Sequence, residues 1–397
     1  MRRWLLPAGF ALVLCAVPLQ AQEGPRRGKI KEVTADTITI TVDGTDVDCA
    51  VTADTKIMSV ANQPITPPLQ DQGVKAGATV MFLARERDGK HVLVGLNSKL
   101  RPLTALGEEK YQDYEGGLYP EGKNERPAAH EAAGLALAKQ VQPIDRDGRP
   151  NREGSIVLLS VGMSNTSQIS QGFQKALIGE QEKNSRVVFV NGAQGGMTAA
   201  AIQDPADNSR GTQYWTTVDE RLKTAGVTRT QVQVIWIKQA DAGPTQGFPA
   251  YAKKLQEELA RIVQLLPGRF PNIKLVYLSS RTYGGFAKTP LNPEPYAYES
   301  GFSVKWLIEQ QLQGDAALND DATKGPVKAP WLSWGPYLWD NGVVPRADGY
   351  RSEESDFGAD GTHHAGPGTD KMGQLLLQFF KTDTTARPWF VRPRDVP

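Results

Sequence analysis

The chain has 397 residues, with 45 Lys+Arg against 44 Asp+Glu, only 4 His and 2 Cys. So even a charge balance argues against nucleic acid or an anionic membrane surface as the main partner. At this length one large domain and a smaller one are the natural expectation, and either can bury a proper core.

The first residues read "MRRWLLPAGFALVLCAVPLQAQEG": two arginines, an apolar run, then "LQA" before a polar stretch. That is the layout of a secretory signal peptide over residues 1–21, cut after Ala21. The protein is therefore expected to be exported, to the periplasm or beyond the cell. The run is short for a membrane span, and no later segment approaches the roughly 20 apolar residues needed, so no span is expected. Of the 45 basic residues the cut removes Arg2 and Arg3 and no acid, leaving 43 against 44. It also removes Cys15, so Cys49 stands alone, no internal disulfide can form, and stability must come from packing.

Residues 26–100 are expected to form a small all-β barrel or sandwich. "DTITITVDGTDVDCAV" and "ATVMFLARERDGKHVLVGL" each alternate apolar and polar residues around an Asp-Gly pair, at Asp43-Gly44 and Asp88-Gly89. Alternation flanking Asp-Gly is the strongest short hairpin signal. His91 falls in the strand pattern and reads as a surface residue. Residues 101–153, rich in Gly, Pro and charge, read as a linker and the N-terminal arm of the next domain. One helix is expected near 129–140, with His130 in it.

From 154 to 397 the texture changes. "SIVLLSV", "RVVFV", "VQVIWI" and "KLVYLSS" are short, continuously apolar and rich in β-branched residues, as strands buried on both faces are. Helical patterns alternate with them, clearest in "FPAYAKKLQEELARIVQLLPGRF", whose charge run reads as a solvated face. Alternation of this kind means parallel βαβ units, an α/β sheet flanked by helices. Working loops in such sheets lie at the carboxyl ends of the strands.

Those ends carry "VGMSNTSQ", "NGAQGGMT", "KQADAGP" and "SSRTYGG", and the last segment holds "DGTHHAGPG". A serine becomes a useful nucleophile only when a base takes its proton as it attacks. Histidine is the usual base near neutral pH, and a carboxylate fixes its tautomer. Asp360-x-x-His363 can supply both, with Ser164 as nucleophile. Plainer readings stand beside this one. Ser164 and Asn165 could cap a helix, Gly195-Gly196 could be an unliganded turn, and Asp360 with His363 could be a surface turn. A metal site on Asp360, His363 and His364 is not expected, because adjacent histidines seldom point the same way.

In combination the blocks resemble the SGNH hydrolases, or GDSL-like esterases. That family places its serine after the first strand, a glycine after the second, an asparagine after the third and Asp-x-x-His near the C-terminus. "GMSN" is closest to the Gly-x-Ser-Asn form of its carbohydrate acetylesterase-like branch, and Gly196 matches the oxyanion-hole glycine. The resemblance spans 154–380 and implies a three-layer α/β/α, flavodoxin-like domain with no cofactor. It also implies a triad of Ser164, His363 and Asp360, an oxyanion held by Ser164 and Gly196, and short-chain, acetyl-like esters of carbohydrates or small molecules as substrates.

One block departs from the pattern. Asp241 stands where the asparagine would donate to the oxyanion, and an ionised carboxylate cannot donate. Two unit charges about 4 Å apart repel by roughly 4 kcal/mol at an effective dielectric near 20, comparable with one oxyanion donor. Asp241 could be protonated, rotated away, or replaced as donor by Gln239 or Asn165. The expected substrate contacts are Asn165, Gln194, Gln239, Lys238 and Trp334. Arg281 and Glu299 are either pocket or surface. Trp331, Trp334, Tyr337 and Trp339 could stack on sugar or sit in the core. Asp241, the aromatics and the extra β domain also suggest an alternative, a catalytically silent carbohydrate-binding protein on the same fold. A lipase would need a long apolar lid, and none is evident.

Overall fold

The computed structural model describes residues 26–58, 74–98, 100–206, 209–342 and 345–392; the expected signal peptide lies outside them. Among these, residues 26–98 form one compact unit and 100–392 another. No described helix is long and apolar enough to cross a membrane.

The first unit is a barrel of strands β1 (Arg26–Val33), β2 (Thr37–Val42), β3 (Thr45–Ala50), β4 (Lys56–Met58), β5 (Thr79–Arg87) and β6 (Lys90–Ser98), in the order β3-β2-β1-β5-β6-β4. A β3–β6 pairing, Cys49 opposite His91, closes it. Both expected hairpins are present. Asp43 and Gly44 have φ of 48° and 82°, and Asp88 and Gly89 have 52° and 71°, the doubly positive pair that a two-residue hairpin turn needs. Inward residues from alternate positions, Ile30, Ile38, Ile40, Val80 and Phe82 among them, fill the interior. Cys49 is buried with them and free, and burial pushes its thiol up to about 11. His91 is exposed, as expected.

The second unit begins with helix α1 (Leu103–Leu106), a hairpin of β7 (Lys110–Tyr111) and β8 (Tyr114–Glu115), and helix α2 (Ala128–Ala138). Then come β9 (Ile156–Gly162), α3 (Ser164–Leu177), β10 (Val187–Asn191), α4 (Ala199–Ile202), α5 (Ser209–Thr224) and β11 (Val232–Lys238). The chain continues through α6 (Ala250–Arg269), β12 (Leu275–Ser279), α7 (Tyr296–Leu312), β13 (Trp331–Trp334), α8 (Pro367–Thr382) and α9 (Arg387–Phe390).

Strands β9 to β13 form one parallel sheet in the order β10-β9-β11-β12-β13. Its central strands are buried on both faces, which is why they read as unbroken apolar runs. Val157, Leu159 and Ile235 pack on one side with residues of α4 to α7, and Leu158, Val234 and Trp236 on the other with residues of α3, α8 and α9. These are the three layers that the resemblance implies. The strand order reverses at β9, the point at whose carboxyl end open α/β sheets carry their sites.

The late aromatics belong to the core. Trp331 is fully buried and its ring lies 4.7 Å from that of His130 on α2. Trp339 donates to Glu294 Oε1 at 2.7 Å, and Tyr337 accepts from Leu103 N–H at 3.0 Å. Buried Trp and Tyr find partners for their polar tips in this way.

Candidate active site

Ser164 is the first residue of α3, directly after β9, and Met163 occupies the N-cap position with no side-chain cap bond. The hydroxyl is thus free of capping duty. It lies 2.7 Å from His363 Nε2, 199 residues further along the chain. The other ring nitrogen, Nδ1, is 2.5 Å from Asp360 Oδ2. An ionised carboxylate only accepts, so Nδ1 carries the proton and Nε2 is left to accept from the Ser164 hydroxyl.

The loop that brings histidine to serine is tightly built. Asp360 Oδ1 accepts from the N–H groups of Thr362 and His363, both at 3.0 Å, a short-range turn of the kind aspartate favours. Gly361 sits at φ +66°, and a Cβ there would come within 1.8 Å of Phe286 O, so only glycine fits. Burial works against the Asp360 charge, but the His363 ring and the two backbone donors outweigh it and hold the carboxyl at about 2.

The oxyanion side is open. Gly195 and Gly196 are exposed at the end of β10, and a Cβ on Gly195 would lie 4.0 Å from Ser164 Cβ. Gly196 has φ +73°, and its carbonyl is turned to Arg210. The Ser164 N–H lies in the first turn of α3, where no intrahelical acceptor exists and the helix dipole favours negative charge. Serine, imidazole and carboxylate thus meet at the carboxyl rim of the sheet, with an N-terminal helix turn and a glycine pair beside them.

No protein-family model and no curated protein matches this chain. Solved structures do. The chain is similar to a carbohydrate acetylesterase from Xanthomonas citri, at 12% identity over 89% of this chain and 69% of that one, with a TM-score of 0.30. It is similar to a Bacteroides fragilis protein assigned as an acylhydrolase, at 13% identity over 64% of this chain and 97% of that one, with a TM-score of 0.34. It is also similar to copper-bound CusF from Escherichia coli, at 16% identity over 19% of this chain and 90% of that one, with a TM-score of 0.15.

Several expected contacts are corrected. Asp241 does not present a bare carboxylate: Oδ1 accepts from Ala200 N–H at 3.1 Å, and Oδ2 is paired with Lys254. Lys254 also holds Glu258, so "KKLQEELAR" is not a wholly solvated face. Glu258 is 3% exposed, and burial followed by the Asp241 charge pushes its carboxyl up to about 7.

Gln239 spends its amide on Met197 O and on Ala240 N–H, and Asn165 spends its own on Thr362 O and Arg281. Both amides are thus engaged in holding neighbouring loops in place. Both residues are buried, as are Lys238 and Trp334, whose indole donates to Leu118 O. At 1–3% exposure none of these four side chains presents a surface to a substrate. Of the expected contacts only Gln194 is partly exposed, and its amide faces Gly192 O and Tyr214 O.

What sequence reasoning missed is the bracing. Arg281 Nη1 donates to Asn165 Oδ1 at 2.7 Å, and Asn165 Nδ2 donates to Thr362 O at 2.7 Å. His364 N–H donates to Gln168 Oε1 at 3.1 Å. These bonds tie the histidine loop to the first turns of α3, on either side of the Ser164–His363 contact. The only sequence signal was the asparagine following the serine.

Proposed function

We propose that this chain is an exported serine ester hydrolase that removes short acyl groups, acetyl foremost, from carbohydrate or small-molecule esters. The observation that carries the reading is the unbroken hydrogen-bonded line from Ser164 through His363 to Asp360. Ser164 Oγ attacks the ester carbonyl while His363 Nε2 takes its proton. The C–O bond to the alcohol then breaks, His363 returns the proton to that alcohol, and the acyl group stays on Oγ. Water, deprotonated by His363, attacks the acyl-enzyme; the carboxylic acid leaves and Oγ regains its proton.

Asp360 stays ionised throughout and steadies the imidazolium. The N–H groups of Ser164 and Gly196 are the proposed oxyanion donors, aided by the amino end of α3. Export rests on the layout of residues 1–21. The preference for short acyl groups rests on the likeness of "GMSN" to the acetylesterase-like branch.

A second reading, a silent carbohydrate-binding protein on the same fold, is favoured by Asp241, whose carboxylate stands where a donor amide is expected. One assay separates the two. Purified protein is incubated with p-nitrophenyl acetate beside its Ser164→Ala variant. The hydrolase reading expects a loss of about 10³-fold or more in the variant. Equal, negligible rates in both would select the binding protein.

A further inference from the structure

Directly behind the Ser164–His363 contact lies a cluster that the ester chemistry does not use. Lys238 ends β11, Arg281 follows β12 and His364 follows the triad histidine. They are 1%, 3% and 3% exposed. Lys238 Nζ, Arg281 Nε, both ring nitrogens of His364 and the adjacent Thr362 Oγ1 are all buried without a hydrogen-bond partner. Among the described residues neither Lys238 nor Arg281 forms an ion pair, and the Glu294 carboxylate that Arg281 senses is committed to Gly284, Tyr298 and Trp339.

Unpaired buried donors of this density demand an acceptor. Burial and the Arg281 charge both press Lys238 to release its proton, but a neutral lysine would still leave the Arg281 Nε–H facing no acceptor. Guanidinium stays charged in proteins. A single anion placed among them would accept from Lys238, from Arg281 Nε and from the one N–H of a neutral His364, and would offset the repulsion between Lys238 and Arg281.

We propose that Lys238, Arg281 and His364 form a buried binding site for a small monovalent anion, a halide. The three side chains are at most 3% exposed, which excludes a polymeric or bulky organic acid. Arg281 also holds Asn165, which holds Thr362 beside His363, so the anion braces the loop that carries the base. The site is independent of which substrate the triad serves.

The test is on the full-length wild-type protein. Crystals grown without halide are soaked in sodium bromide and measured at the bromine edge. An anomalous peak among Lys238 Nζ, Arg281 Nε and the His364 ring is expected. In parallel, melting temperature is followed against sodium bromide and against sodium gluconate at equal ionic strength, for wild type and Lys238→Met. Bromide at about ten times its dissociation constant is expected to raise the wild-type midpoint by roughly 2–5 °C. Gluconate, too large to enter, is expected to do no more for wild type than for the variant. Lys238→Met is expected to respond equally to both salts. No anomalous peak, with wild type melting alike in the two salts, would overturn the site; the soak decides the matter even if the variant does not fold.

Discussion

Asp360 accepts from the His363 ring through one oxygen and from two backbone N–H groups through the other. One side chain therefore sets both the tautomer of the base and the shape of the loop that presents it. Because its carboxyl is held at about 2, it is charged at every pH where the protein would be assayed, and it faces the His363 ring as an acceptor throughout. Asp360→Asn keeps the shape but offers an amide N–H where the ring needs an acceptor. We expect kcat to fall by about 10³–10⁴ with KM changed little, as when a triad carboxylate is lost elsewhere. An Asn variant within tenfold of wild type would contradict the assigned roles.

Among the elements, α4 and α6 decide what Asp241 does. Its carboxylate receives the Ala200 N–H in the first turn of α4, where acceptors are needed, and Lys254 reaches it from α6. The residue that reads in sequence as a damaged oxyanion donor works in the fold as a clamp between two helices. Asp241→Asn would be expected to raise turnover if a missing amide were the whole story. The geometry leads us to expect instead a loss of stability of about 1–2 kcal/mol, because Lys254 is 43% exposed and its pairing is partly screened. Relief of Glu258 from a neighbouring charge returns some of that. No gain in turnover is expected. Thermal melting and p-nitrophenyl acetate rates on the same sample check both halves, and a faster variant would show that the amide reaches the reacting centre.

The same pair of helices shows what was legible in the chain. Strand positions and the two Asp-Gly turns follow from local periodicity and turn chemistry, written in neighbouring residues, whereas the pairing of Ser164 with His363 was legible only through the ordered set of short motifs and the resemblance they carry. The uses of Asp241, Asn165 and Lys238 are not written in neighbouring residues. Each depends on which backbone group a distant loop brings alongside, and a polar residue at a strand end reads alike whether it faces a substrate or plugs the floor beneath one. Aromatic residues were ambiguous for the same reason: Trp334 on β13 has the composition of a sugar platform and the burial of a core residue.

At the scale of the whole molecule the chain has no described disulfide to hold it, so stability rests on the barrel core and on the two cores flanking the parallel sheet, and the buried ionisable groups of the larger unit make it depend on pH. His364 is the clearest case. Burial, then the charges of Lys238 and Arg281, hold its ring from an ordinary 6.5 down to about 3. Between those values the unfolded chain binds a proton that the folded chain refuses. Stability therefore falls as pH drops below 6.5, by up to about 1.4 kcal/mol per unit for this one group. His130 on α2, also depressed by burial, adds to the slope. Glu258 and Glu299, whose carboxyls burial raises to about 7, act in the opposite direction: their contribution to stability is present in acid and fades as pH rises through 7. A bare stability–pH curve would mix these effects, so the useful quantity is a difference. In halide-free buffer, urea unfolding of wild type and His364→Gln is expected to show a stability gap that shifts steadily in favour of the variant from pH 6.5 to 4.5, while staying constant above pH 7.5. A gap that does not change with pH would mean that His364 is protonated in the folded protein, with the ring reaching solvent or a carboxylate after all.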